Sequence, residues 1–217
     1  MKKILLFLLI SLLSFSQPTE PSKIIIIYFN RTGNTEIFAN YIKEINENIA
    51  KYKIEPTTPY PEDYNETLGI VRAEIDSSTR PEINNILNNV NDYDVILLGY
   101  PIWYSHIPNI VITQLEKLDL NGKTIYPFNT HLGSGTGNSI NEIKSYATNA
   151  NVKDGFPISM NDISNRTSSM EKIKNWLEQI IGEENNENQG TEEKENNKSI
   201  FKKINHYLFY IICILLY

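Results

Sequence analysis

Ile24-Ile25-Ile26-Ile27-Tyr28-Phe29-Asn30-Arg31-Thr32-Gly33-Asn34-Thr35-Glu36-Ile37-Phe38-Ala39 is an apolar run that breaks at a short polar segment and then takes up helical spacing. Six consecutive apolar or aromatic residues without polar alternation predict a strand covered on both faces, the pattern of a central strand in a parallel sheet. From Asn30 to Thr35 the chain offers small amide and hydroxyl side chains, one glycine, and the N–H groups that a helix start leaves without intrahelical partners. Such a loop suits a phosphate: the amides converge, the helix dipole favours negative charge, Thr32 and Thr35 add hydroxyls, and Gly33 lets the backbone come close. A plain helix cap, with Asn30 or Thr32 as the N-cap and Glu36 in the first turn, fits the same residues. The phosphate loop of nucleotide hydrolases is excluded because Asn34, not Lys, follows Gly33. A dinucleotide fingerprint is excluded because the loop has one glycine, not three.

The segment Tyr28-Phe29-Asn30-Arg31-Thr32-Gly33-Asn34-Thr35 resembles the phosphate loop of flavodoxins, in which a Ser/Thr-x-Thr-Gly-x-Thr segment wraps the phosphate of FMN. Asn30 stands where that pattern has its first hydroxyl residue. Two further loops extend the resemblance. Pro101-Ile102-Trp103-Tyr104 is similar to a Pro-Ile-Trp-Trp segment in one branch of flavodoxin-like proteins, with Tyr104-Ser105 in place of Trp-Gly. Thr130-His131-Leu132-Gly133-Ser134-Gly135 is similar to that branch's Thr-His-Gly-Gly-Ser-Gly loop. The resemblance covers roughly Lys23 to Ile181 and implies non-covalent FMN. Asn30, Arg31, Thr32, Gly33, Asn34 and Thr35 would lie around the phosphate, and Pro101, Ile102, Trp103, Tyr104, His131, Gly133, Ser134 and Gly135 around the rings. Trp103 and Tyr104 fit that role physically, since a flat flavin needs a flat apolar surface. His131 is the one residue expected to touch flavin or substrate as a catalytic group.

Outside these loops the chain alternates strand and helix. Helical spacing is expected over Glu36 to Ile49, weakly over Tyr64 to Ile75, and from Pro81 through Ile83, Ile86, Leu87 and Val90. It recurs over about Asn109 to Leu118, from Ile140 to Tyr146, and over Ser168 to Ile181. Strands are expected at Lys51 to Glu55, Asp94 to Tyr100, Lys123 to Asn129 and Val152 to Met160. The expected fold is α/β: a flavodoxin-like, five-stranded parallel sheet of order 2-1-3-4-5 with helices on both faces. Its ligand would sit beyond the carboxyl ends of the strands.

The folded region Ser22 to Gly182 has 14 Lys and Arg against 19 Asp and Glu, a formal charge of −5. That argues against nucleic acid, whose binding surfaces are basic. A single cysteine, Cys213, excludes an internal disulfide, and three scattered histidines do not form a metal-ligand spacing. No Gly-x-Ser-x-Gly elbow is present. Residues 1–16, with Lys2-Lys3 before an apolar run, predict a signal peptide and therefore export. Residues 17–22 read as a linker and residues 23–182 as the domain. Residues 183–199 read as a disordered Glu/Asn-rich linker, and residues 200–217 as an apolar tail, basic at its start, that associates with a membrane. Three functions are compatible with this reading: FMN electron transfer with a redox partner protein, NAD(P)H-dependent reduction of quinone, azo or nitro compounds, or a flavin-free binding domain.

Overall fold

In the computed structural model, residues 22–215 are described; the signal peptide expected at residues 1–16 and residues 17–21 of the expected linker lie outside them. The chain divides into two units, Ser22–Gln179 and a second that takes in the chain from Ile180 onward.

The first unit is built on β1 (Ile24–Tyr28), β2 (Ala50–Lys53), β3 (Val95–Pro101), β4 (Thr124–His131), β5 (Asn151–Val152) and β6 (Phe156–Ser159). The sheet runs β2-β1-β3-β4-β5 with every pair parallel, and β6 also pairs with β4. This is the expected order. Ile25, Ile27 and Phe29 join Ile96, Leu98 and Tyr100 in one apolar cluster, as side chains two apart must on one face of a sheet. Ile26 and Tyr28, which alternate with them, are also buried, so β1 is covered on both faces.

Helices α1 (Asn34–Ile45), α2 (Tyr64–Ser77), α3 (Asn109–Leu115), α4 (Ser139–Tyr146), α5 (Met160–Ile163) and α6 (Arg166–Leu215) complete the fold. α1 buries Phe38, Ala39, Tyr41 and Ile42. Phe38 meets Phe128 at 4.4 Å between ring centroids, and Trp176 of α6 stacks on Phe156 at 5.2 Å.

Three expectations are corrected. The helix expected from Pro81 does not form. Ile83 instead makes an antiparallel bridge with Pro56, Asn84 N–H donates to the Glu55 carbonyl, and only a 3-10 turn, Val90–Asp92, is helical. The apolar spacing was helical, but Asn84 and Asn85 spend their amides on the carbonyls of Pro56 and Lys53, the side-chain competition that makes Asn a poor helix former.

The fifth strand is split. Register shifts by one residue between Ile125↔Val152 and Phe128↔Phe156, so an extra residue bulges from this edge at Lys153–Gly155. Finally, α6 continues as helix through residues 183–199, where composition predicted disorder. A helix already started extends at little cost through Glu, Lys and Gln, which are good helix formers. No helix among the described residues is long and apolar enough to cross a membrane.

Gly99 of β3 sits against the Phe128 ring, and a Cβ there would lie 2.2 Å from it. Phe38 and Trp176 hold that ring in place. Gly99→Ala is expected to lower stability by about 1–3 kcal/mol, as overpacking does, measured by urea denaturation.

Candidate functional site

The loops after β1, β3 and β4 all leave the carboxyl edge of the sheet and meet in one cleft of about 240 Å³. Arg31, Thr32 and Asn34 line one end. Pro101, Ile102, Trp103 and Tyr104 line the cleft from the second loop, and Thr130, His131 and Leu132 from the third.

In the first loop the capping group and the unpartnered N–H donors are separate groups. Asn30 Oδ1 accepts from Gly33 N–H at 2.9 Å and Glu36 N–H at 3.4 Å, so Asn30 faces into its own loop and does not line the cleft. Gly33, at φ 102°, reverses the chain directly before α1. Among the described residues, none accepts from the backbone N–H groups of Thr32, Asn34 or Thr35. These are the orphan donors of a helix start. Thr35 Oγ1 is buried and 3.0 Å from Thr130 Oγ1, which ties the loop to the end of β4. The Arg31 guanidinium is engaged by the carbonyls of Pro61, Glu62 and Asp63 at 2.7–3.2 Å.

Glu36 brings a carboxylate close to this loop. Burial works to raise its pKa, but the Tyr28 hydroxyl at 2.9 Å and the Lys53 ammonium at 3.2 Å outweigh burial and hold it below the usual range. Its charge is therefore partnered.

The second loop is a two-residue hairpin. Trp103 and His106 exchange both backbone hydrogen bonds, at 2.8 and 3.1 Å, while Tyr104 and Ser105 turn at φ 48° and 66°. Two consecutive left-handed residues make a type I′ turn. Each costs roughly 1–2 kcal/mol when it is not glycine. Behind the wall, Trp103 packs edge-on against Phe29 and Tyr60, at 5.5 and 5.0 Å between centroids. The Tyr60 hydroxyl in turn donates to the buried Glu74 carboxylate, 3.0 Å from each oxygen.

In the third loop His131 Nδ1 accepts from Gly133 N–H at 2.9 Å, which places the proton of the neutral ring on Nε2. Desolvation pushes the His131 pKa down, against a smaller upward pull from Asp162, and so favours that neutral form. Gly133, Ser134 and Gly135 do not line the cleft; Leu132 does. Asn129 Nδ2 holds the Gly135 carbonyl at 2.9 Å and so fixes how the glycine segment turns away.

Sequence reasoning missed one wall. Tyr64, Thr67, Leu68 and Val71 of α2 line the cleft, with Met160 at the start of α5. Tyr64, Leu68 and Val71 share a helix face, so the spacing was readable; where the helix lies was not.

This arrangement defines an α/β domain with an amide-rich anion loop and an aromatic platform at one sheet edge. The chain belongs to the flavodoxin family, whose model matches residues 23–180. A flavoprotein structure from Bacteroides eggerthii DSM 20697 is similar at 34% identity and TM-score 0.63, over 74% of this chain and 98% of that one. One from Bacteroides uniformis ATCC 8492 is similar at 28% identity and TM-score 0.64, over 73% and 99%. A flavoprotein from Lactobacillus acidophilus NCFM, solved in complex with FMN, shares 21% identity at TM-score 0.57, over 67% and 97%, and that likeness concerns the fold. No curated protein matches the chain.

Glu74 yields a pH prediction. Burial raises its pKa and the Tyr60 hydroxyl opposes the rise. A raised carboxyl keeps its proton in the fold after the unfolded chain has released it. Its contribution is therefore full below the ordinary carboxylate value and is lost as pH rises through the folded value. Tyr60→Phe leaves the buried anion without that donor. It should cost about 1–3 kcal/mol at pH 8 and clearly less at pH 5, read by denaturant midpoints at both pH values.

Proposed function

We propose that the domain binds FMN in the cleft and acts in electron transfer. The observation that carries this reading is that Thr32 and Asn34, whose N–H groups have no acceptor among the described residues, line the head of the cleft that Trp103 walls. An anion with a flat aromatic body fits both ends at once. When bound, FMN would supply one- and two-electron redox chemistry.

The chain's own groups then have distinct tasks. The loop amides and the Thr32 hydroxyl bind the phosphate, while Arg31, committed to the carbonyls of residues 61–63, braces the loop. Charge neutralisation comes from amide dipoles and the α1 N-terminus, which suits a domain of net negative charge. Trp103 and Tyr104 orient the rings and exclude water. His131 offers an Nε2–H to an acceptor in the cleft.

A second reading, NAD(P)H-dependent reduction of a quinone, azo or nitro compound, is favoured by one feature. Tyr64, Tyr104 and Leu132 line the cleft and are 56%, 43% and 74% exposed, a surface on which a small aromatic substrate can lie.

The visible spectrum of the purified full chain separates these readings. A yellow protein that bleaches with dithionite or a reductase, but not with NADH or NADPH, is expected of the carrier. Prompt bleaching by a nicotinamide would establish the reductase. A colourless protein that refuses added FMN would reject both. Gly33→Val forces a β-branched residue into a left-handed conformation and should weaken FMN binding at least about 100-fold by titration of the flavin-free protein. Unchanged affinity would reject the phosphate assignment.

A further inference from the structure

The hairpin that carries Trp103 is held from one side by a single carboxylate. Glu142, in the first turn of α4, accepts from the Ile107 N–H through Oε2 at 3.0 Å and pairs with His106 Nδ1 through Oε1 at 2.5 Å. Directly beside it, Asn138 N–H donates to the Ser105 carbonyl at 2.7 Å. Gly137 lies so close that a Cβ there would be 2.3 Å from the same carbonyl oxygen. The loop after β4 thus grips the backbone of Ser105, and α4, through Glu142, grips His106 Nδ1 and the Ile107 N–H.

The grip has a physical purpose. Tyr104 and Ser105 are both left-handed and neither is glycine, so the turn left to itself relaxes toward other conformations. Strained residues of this kind persist only where their surroundings over-determine them. On the far side, the Tyr104 hydroxyl reaches the Leu68 carbonyl at 3.5 Å and Arg72 lies 5.9 Å from the Tyr104 ring, both weaker contacts on an exposed surface. Glu142 is the group that unites an anchored backbone N–H with a side-chain hydrogen bond, to His106 Nδ1. It reaches the cleft only through the hairpin and does not line it.

We infer that Glu142, through His106 and Ile107, is a positioning residue that holds the Trp103 hairpin in its ring-binding shape. It thereby sets affinity for the isoalloxazine rings independently of the phosphate loop. The inference rests on the FMN reading. If only the clamped hairpin accepts the rings, apparent affinity scales with the clamped fraction, and loosening the clamp reduces it without changing any ring contact. Because Ser105 supplies part of the strain, a glycine there should reduce the need for the clamp.

The test uses the full chain freed of flavin and three probes: FMN, riboflavin, which lacks the phosphate, and inorganic phosphate as a competitor of FMN. Glu142→Ala should weaken FMN and riboflavin by the same factor, roughly tenfold, and leave competition by phosphate unchanged. Glu142→Gln keeps an acceptor for the buried Ile107 N–H and should give a smaller loss in the same direction, which guards against a variant that fails to fold. Adding Ser105→Gly to either variant should recover most of the loss.

A second readout needs no flavin. Of the two tryptophans, Trp176 is 9% exposed, so emission quenched by iodide reports mainly Trp103. Quenching should rise in Glu142→Ala and fall back when Ser105→Gly is added. Unchanged riboflavin affinity, an equal loss for phosphate, or no recovery with Ser105→Gly would overturn the inference. A wild-type chain that binds no flavin would overturn the FMN reading, and the iodide result would still decide whether Glu142 holds the hairpin.

Discussion

Burial of β1 on both faces is the constraint from which the rest of the structure follows. A strand with no face for water must sit inside the sheet, between β2 and β3, and can turn polar only where it leaves the carboxyl edge. That exit is Asn30. The Asn30 amide closes the turn on Gly33 and Glu36, and the N–H groups of Thr32 and Asn34, beside the cleft, have no acceptor among the described residues at the point where strand order reverses. Position and chemistry of the site thus come from one strand.

The cleft divides its work between backbone and side chains. At the end of the cleft beside α1 the unpartnered groups are main-chain N–H donors, and the nearby charged side chains are already engaged: Arg31 by three carbonyls, Glu36 by Tyr28 and Lys53. An acidic domain can hold an anion this way because oriented dipoles act over a few ångströms, whereas net charge acts weakly through screened water. At the Trp103 end the order is reversed: aromatic faces provide the surface, and behind them Tyr60 bonds to Glu74 and Ile107 N–H to Glu142.

α2 shows how a local excursion shapes the site. The segment after it does not continue as helix but runs extended, with Ile83 bridging Pro56 and Thr113 bonded to the Pro81 carbonyl. Asn109 then fastens the end of α2 through the carbonyls of Glu74 and Thr79. With its far end held there, α2 keeps Tyr64, Leu68 and Val71 along the cleft wall. Asn84 and Asn85, in a run whose apolar spacing alone is helical, favour this path, because their amides bind the carbonyls of Pro56 and Lys53 that a helix would have left elsewhere.

The alternation of apolar runs and amphipathic spacing by itself determined a parallel sheet with helices on both faces and the three loops that meet at its edge, because those features depend on burial periodicity and on the handedness of crossovers, while the strand order 2-1-3-4-5 followed from the resemblance of the loops to flavodoxins. It also showed that Gly33 and the residues around it suit an anion. Tertiary structure alone decided which of those residues face the cleft. Asn30 turned inward, Arg31 kept its place at the cleft but had its guanidinium taken up by residues 61–63, Gly133 to Gly135 were drawn away, and Leu132 and the α2 face joined the lining. The physical reason is distance along the chain: periodicity is a local property, while the partners that capture these side chains and carbonyls are brought near only by the closed fold.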